Sequence, residues 1–295
     1  MHTSELATEH YIKLLTAALV TLIQEKKETP QKLLFEAARY SLLSGGKRLR
    51  PILAFAVAEM YGTPIEKILT PACALEIVHT YSLIHDDLPC MDDDDLRRGM
   101  PTLHKVYGEG HAVLTGDFLL TFAFELLAKS PHLTSDEKIE LITSLSEAAG
   151  AEGMIGGQVV DLLSEGKPIN WDTLECMHVG KTSALIISAL EFGAIIGNAP
   201  LRDRELLRTF GKSIGLAFQI IDDVLDVTST TEDLGKPAGS DKEKAKPTAV
   251  TLLGLEKART YAEALFEEAR KALNELSLPS PLLQQLAKKL VFRTF

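Results

Sequence analysis

The sequence predicts an all-α fold: a single domain over residues 1–295, a bundle of packed, mostly antiparallel helices. Three observations carry this expectation. Apolar residues recur at helical spacing over nearly the whole chain, and no segment sustains the alternation of a half-buried strand. One composition regime runs from end to end without a repeat of fixed period. The length of 295 residues, 45% of them hydrophobic and 24% charged, suffices for a large soluble core and excludes disordered, collagenous and low-complexity classes.

Taken in order, Leu14, Ala18 and Ile23 mark a first helix ending before Pro30, whose ring disfavours helix in the residue preceding it. A second helix, Gln31 to Leu43, stops at Gly45-Gly46. The third follows Pro51, a residue suited to a first turn. Further helices are expected over Pro71 to Leu88, Gly110 to Ala128, Ser135 to Ala149, Gly153 to Leu163, Trp171 to Gly197, Asp203 to Val227, Leu255 to Leu276 and Pro281 to Phe292. Thr134-Ser135 followed by Glu137 supplies capping chemistry. Ser229 to Pro247, rich in Lys, Asp, Gly and Pro, reads as a functional loop inside the domain.

Lys and Arg number 31 against 41 Asp and Glu, a net charge of -10 that argues against nucleic acid and favours cations. The acidity is uneven: Asp86, Asp87, Asp92, Asp93, Asp94 and Asp95 crowd together and Arg97-Arg98 follow. Three cysteines without C-x-x-C spacing suggest neither a disulfide framework nor zinc, and a reducing cytoplasm is the expected setting. The polar N-terminus does not read as a signal peptide, and uninterrupted apolar runs are too short for stable membrane insertion.

Asp222 and Asp226 are spaced i, i+4, so they share one helix face at about 5–6 Å, where like charges oppose each other unless something neutralises them. With Asp223 they lie among Ile220, Ile221, Val224, Leu225 and Val227, which leaves little room for a solvated acidic face. A second cluster, Asp86-Asp87-Leu88-Pro89-Cys90-Met91-Asp92, contains a proline that must end the helix, allowing Asp92 to return beside Asp86. Hard oxygen donors without soft ones suit Mg2+, which shares itself between carboxylates and phosphate. The expected partner is therefore a phosphorylated substrate. Lys47-Arg48-Leu49-Arg50 after the glycine pair, Arg97-Arg98, Lys181-Thr182, Lys236 and Lys246 are candidate phosphate cations. His85 and His104 read as packing histidines, the Phe118, Phe122 and Phe124 group as core, and Cys90 as a spacer.

These motifs together resemble the trans-isoprenyl diphosphate synthases, all-α enzymes whose isoprenoid synthase fold would place the helices around a central cavity. The resemblance runs in family order over roughly residues 35 to 295, through Gly45 to Pro51, His79 to His85, Asp86 to Asp92, Arg97 to Gly99, Gly116-Asp117, Gly157-Gln158, Gly180 to Thr182, Gln219 to Asp226, Leu234 to Lys236 and Leu252 to Leu255. It implies an Mg2+-dependent, homodimeric, cytoplasmic prenyltransferase that condenses isopentenyl diphosphate head-to-tail with an allylic diphosphate by ionisation, condensation and elimination. Three Mg2+ ions would bridge the allylic diphosphate to Asp86, Asp87 and Asp92 and to Asp222, Asp223 and Asp226. Arg97, Lys181 and Lys236 would hold the allylic diphosphate, with Lys246 a further substrate-binding cation. Lys47, Arg50, His79 and Arg98 would hold isopentenyl diphosphate, and Thr182 and Gln219 would aim oxygen dipoles at the developing carbocation. Ser229 to Pro247 becomes an expected lid.

Within the family the chain is most similar to bacterial farnesyl diphosphate synthases. Tyr81, five residues before Asp86 and hence about 7.5 Å along the helix, supplies a bulky ring where a growing tail would reach, with Ser82 beside it. That favours dimethylallyl and geranyl diphosphate as primers and a C15 product; a C20 product is the alternative. One departure from the family pattern is Ala245-Lys246-Pro247-Thr248-Ala249-Val250, where an aromatic-proline pair is common. A terpene cyclase would not need Lys47, Arg50, His79 and Arg98, and a non-catalytic regulatory subunit would not need both complete aspartate motifs.

Overall fold

The structure is a computed structural model describing residues 2–24, 29–228 and 246–292, and it is helical almost throughout. The chain forms two compact units, residues 1–142 and 143–295. The first contains α1 (His2–Leu22), α2 (Lys32–Leu42), α3 (Leu49–Met60), α4 (Ile65–Asp86), a hairpin of β1 (Leu96–Arg97) and β2 (Met100–Pro101), α5 (Leu103–Tyr107) and α6 (Glu109–Lys129). Helix α7 (Ser135–Ala149) carries the chain into the second unit. There follow α8 (Met154–Ser164), α9 (Trp171–His178), a π-helical turn (Val179–Ser183), α10 (Ala184–Ile196), α11 (Leu201–Thr228), α12 (Ala249–Leu253), α13 (Leu255–Asn274) and α14 (Pro281–Val291).

In the first unit α4 is the axis, with α1, α2, α3 and α6 packed against it. Its residues Ala72 to Val78 are buried without interruption. That explains the largest departure from the sequence expectation, a start at Ile65 in place of Pro71. Pro71 sits inside the helix and removes one backbone donor, a cost of about 3 kcal/mol that burial of the surrounding apolar face offsets. Helix α3 also begins early, at Leu49 rather than after Pro51; the ring still falls in the first turn, where the amide has no helical partner anyway. Thr134 and Glu137 cap α7 reciprocally, through Thr134 N to Glu137 Oε2 at 2.8 Å and Glu137 N to Thr134 Oγ1 at 3.2 Å.

In the second unit α10 is buried from Leu185 to Ile196 except at Ile187, the pattern of a core helix. Helix α11, 28 residues and so about 42 Å long, packs on α10, α13 and α14. The expected continuous helix Trp171 to Gly197 is divided by the π turn, which no periodicity announces. Helices α6 and Trp171–Ile196 have the length and apolarity of a membrane span, but 78% of the second one's apolar window is buried as core. The phenylalanine group on α6 is partly exposed rather than fully core: Phe118 stacks on Phe122 at 5.4 Å and meets Phe35 edge-on at 5.4 Å.

Candidate active site

Helix α4 ends at Asp86 because Pro89 disfavours helical geometry at Leu88. The chain then folds back: Asp92 N donates to the Asp86 carbonyl at 2.8 Å and Asp93 N to the Leu88 carbonyl at 3.1 Å, with Asp93 at φ 50. The six-residue spacing thus closes at the backbone. Asp87 points elsewhere. Its carboxylate is buried and accepts from both Nε and Nη2 of Arg97, the first at 3.0 Å. Burial pushes Asp87 above the usual carboxylate range against the pull of Arg97. Burial also opposes the charge on Arg97, but its bonds to Asp87 more than compensate.

The cations of this unit meet around the loop before α3. Gly45 and Gly46 adopt φ +85 and +115, and a side chain on Gly46 would strike the Arg98 guanidinium, which donates through Nη1 to the Gly45 carbonyl. The glycine pair therefore serves a close approach as well as a turn. Lys47 is exposed, and Arg48 is buried in a left-handed conformation at φ 49. Burial lowers Arg50 to about 10, with Glu76 opposing that shift and Arg98 adding to it. Burial and then Arg50, Arg98, Arg97 and Arg48 hold His79 well below the ordinary histidine range. His79 is accordingly a neutral hydrogen-bonding group and not a cation at neutral pH.

Tyr81 lies on the same helix with its ring 4% exposed and its hydroxyl buried without a protein partner. Its ring meets His85 edge-on at 5.8 Å, and His85 Nε2 lies 3.0 Å from the Val113 carbonyl. Gly116 makes that approach possible, since any side chain there would collide with the His85 ring. Ser82 donates to the His79 carbonyl at 2.8 Å.

In the second unit the π turn carries Gly180, Lys181 and Thr182. Gly157 of α8 allows it to approach, because a Cβ at that position would overlap the Lys181 backbone nitrogen. Inserted π turns of this kind recur at functional sites. Lys181 Nζ donates to Asp161 Oδ2 at 2.6 Å, and Lys246 Nζ lies 3.8 Å from the same oxygen. Thr182 Oγ1 donates to Gln219 Oε1 at 3.1 Å, which commits the hydroxyl proton and leaves lone pairs to offer.

Asp222 is partly exposed, while Asp223 and Asp226 are buried. Asp223 Oδ2 accepts the Ala249 amide at 2.7 Å and lies 3.4 Å from His178 Nε2; Oδ1 is 3.4 Å from Gln219 Nε2. Asp223 therefore ties α11 to the start of α12. Thr248 caps that start through a reciprocal pair with Thr251, at 3.2 and 2.8 Å. The departure from the family pattern thus keeps a threonine that caps and an amide that Asp223 uses. Lys236 and residues 229–245 of the expected lid lie outside the described residues.

Oxygen-only donors at Asp86, Asp92, Asp222 and Asp226 fit Mg2+. Among the described residues no three acidic, His or Cys side chains are grouped so as to hold a metal ion by themselves. Sequence reasoning overlooked Glu76 and Asp161. Each is a lone carboxylate inside an apolar helical run, without the aspartate at i+4 that pairs Asp222 with Asp226.

A family model described as Polyprenyl synthetase matches residues 31–277. The farnesyl diphosphate synthase of Bacillus subtilis is 44% identical over 276 residues, covering 93% of each chain. A chloroplastic geranylgeranyl pyrophosphate synthase of Capsicum annuum is 50% identical over 240 residues, which are 81% of this chain and 65% of that longer one. A crystal structure of a geranyltransferase from Helicobacter pylori, complexed with magnesium and isoprenyl diphosphate, superposes with a TM-score of 0.82 at 38% identity over 96% of both chains. With a family match over most of its length and the all-α architecture to go with it, the chain belongs to the polyprenyl synthetase family of transferases.

Proposed function

We propose that this chain condenses isopentenyl diphosphate with dimethylallyl and then geranyl diphosphate, releasing farnesyl diphosphate and pyrophosphate. The observation that carries the C15 assignment is the buried Tyr81 ring five residues before Asp86, about 7.5 Å along α4. Mg2+, held by Asp86 and Asp92 and by Asp222 and Asp226, would neutralise the allylic diphosphate and improve it as a leaving group. Asp87 and Asp223 support these motifs through Arg97 and the Ala249 amide.

On this reading Arg97 and Lys181 grip the allylic diphosphate, with Lys236 and Lys246 as further cations. Lys47, Arg50 and Arg98 bind isopentenyl diphosphate by charge, and His79 by a hydrogen bond. Thr182 and Gln219 direct oxygen lone pairs at the allylic cation as the C–O bond breaks. The double bond of isopentenyl diphosphate attacks, and its proton leaves to the departing pyrophosphate. We also propose a homodimer, supported by exposed Val113 and Leu114 on α6 and by Ile155, Val159, Leu162 and Leu163 on α8.

A C20 product is the second reading, favoured by the 50% identity to the Capsicum annuum geranylgeranyl pyrophosphate synthase. Incubation with Mg2+, isopentenyl diphosphate and each of dimethylallyl, geranyl and farnesyl diphosphates separates these readings by chromatography. Farnesyl diphosphate should accumulate and should not serve as a primer. A C20 product from the farnesyl primer removes the C15 assignment; no elongation from any primer removes the synthase reading.

A further inference from the structure

One carboxylate stands among the arginines of the first unit. Glu76 of α4 accepts from Arg48 Nη1 at 2.5 Å, with the two side chains 1% and 3% exposed. Arg48 Nη2 donates to the Leu42 carbonyl at 2.6 Å. A single fork therefore joins the end of α2, the start of α3 and the middle of α4, and it does so from a left-handed residue flanked by Lys47 and, two positions on, Arg50.

Stability alone accounts poorly for such a pair, because the desolvation of two buried charges offsets most of their attraction and apolar replacements often do as well. Nor is the carboxylate used up. Glu76 Oε2 is buried without a hydrogen-bond partner, as is Arg50 Nε. Glu76 also supports the charge on Arg50 and on Arg98, each of which burial and neighbouring arginines oppose.

We propose that Glu76 is a positioning residue of the isopentenyl diphosphate site. Through Arg48 it fixes the loop that presents Lys47 and Arg50, and as shared counter-charge it lets Arg48, Arg50 and Arg98 stand together before a diphosphate arrives. The proposal rests on the reading above that Lys47, Arg50, His79 and Arg98 bind that substrate; Glu76 itself does not touch it.

The test is steady-state kinetics of Glu76→Gln, which keeps the shape and removes the charge, and of Arg48→Lys, which keeps the charge and lacks the second prong. Each should raise KM for isopentenyl diphosphate by about tenfold or more, the scale of a lost charged hydrogen bond, with kcat and KM for geranyl diphosphate within about twofold. The double variant should lose less than the product of the two single losses, since the Glu76–Arg48 contact is common to both. An unchanged KM for isopentenyl diphosphate, an equal loss for both substrates, or fully additive defects overturns the proposal. If Glu76→Gln does not fold, Arg48→Lys decides by the same criteria. A wild-type chain that consumes no isopentenyl diphosphate defeats the functional reading first, a result distinct from failure of the variants alone.

Discussion

In the first unit the cations are mostly arginines of unequal burial: Arg48 is only 3% exposed on Glu76, Arg97 keeps 34% of its side chain accessible beside Asp87, and Arg98 is exposed. In the second they are lysines gathered on Asp161, and Lys181 and Lys246 keep 27% and 13% of their side chains accessible. The difference follows from the chemistry of the two side chains. A guanidinium is planar and weakly hydrated, so it can be stacked into a wall whose geometry is set before substrate arrives. An ammonium is a point charge on a flexible stem, able to pivot from a carboxylate to a phosphate oxygen without rebuilding its surroundings. On the proposed function, the Arg48–Glu76 fork is a rigid support, and the Asp161 lysines are an exchangeable one from which diphosphate would displace the carboxylate.

The comparison can be broken most severely at the metal. Asp222→Ala removes a partly exposed oxygen donor and should lower kcat on the order of 10²–10³-fold while the thermal midpoint stays near wild type. Full activity in the folded variant would show that this carboxylate holds no metal. Charge-preserving swaps sharpen the contrast between fork and point charge. Arg50→Lys should cost roughly 10–100-fold in kcat/KM for isopentenyl diphosphate, whereas Lys181→Arg should cost less than about tenfold for geranyl diphosphate. Equal losses would erase the distinction between the two units.

Packing gives a smaller effect. Gly157→Ala drives a methyl group into the Lys181 backbone and should lower unfolding free energy by about 1–3 kcal/mol in urea titration. A neutral result would mean that α8 and the π turn separate easily. The mildest change in rate is expected at Tyr81→Ala, which should turn over within several-fold of wild type yet release products longer than C15. An unchanged product profile would remove Tyr81 as the floor of the tail cavity.

Much of this was readable from residue order. The helices follow from apolar spacing, and Ser135–Ala149 matches its expected limits because Thr134 and Glu137 supply the cap in the sequence itself. The return of Asp92 to Asp86 follows from Pro89, a local constraint. Where burial outweighs local preference, the reading from sequence fell short. Pro71 suits a helix start but lies within a helix, because the apolar face around it is worth more than the bond it removes. The two-residue strands Leu96–Arg97 and Met100–Pro101 are too short to have a period.

The sequence by itself determined the all-α class, the two aspartate motifs and the kinds of charge available, since helix periodicity, proline geometry and donor chemistry are local properties. Tertiary structure decided which of those charges are already spoken for. Only packing shows that Asp87 accepts from Arg97 and Asp223 from the Ala249 amide, that burial and the surrounding arginines push His79 down, and that Lys181 leans on Asp161. These depend on distance and desolvation between residues far apart in the chain, and no pattern along one helix records who its neighbours will be.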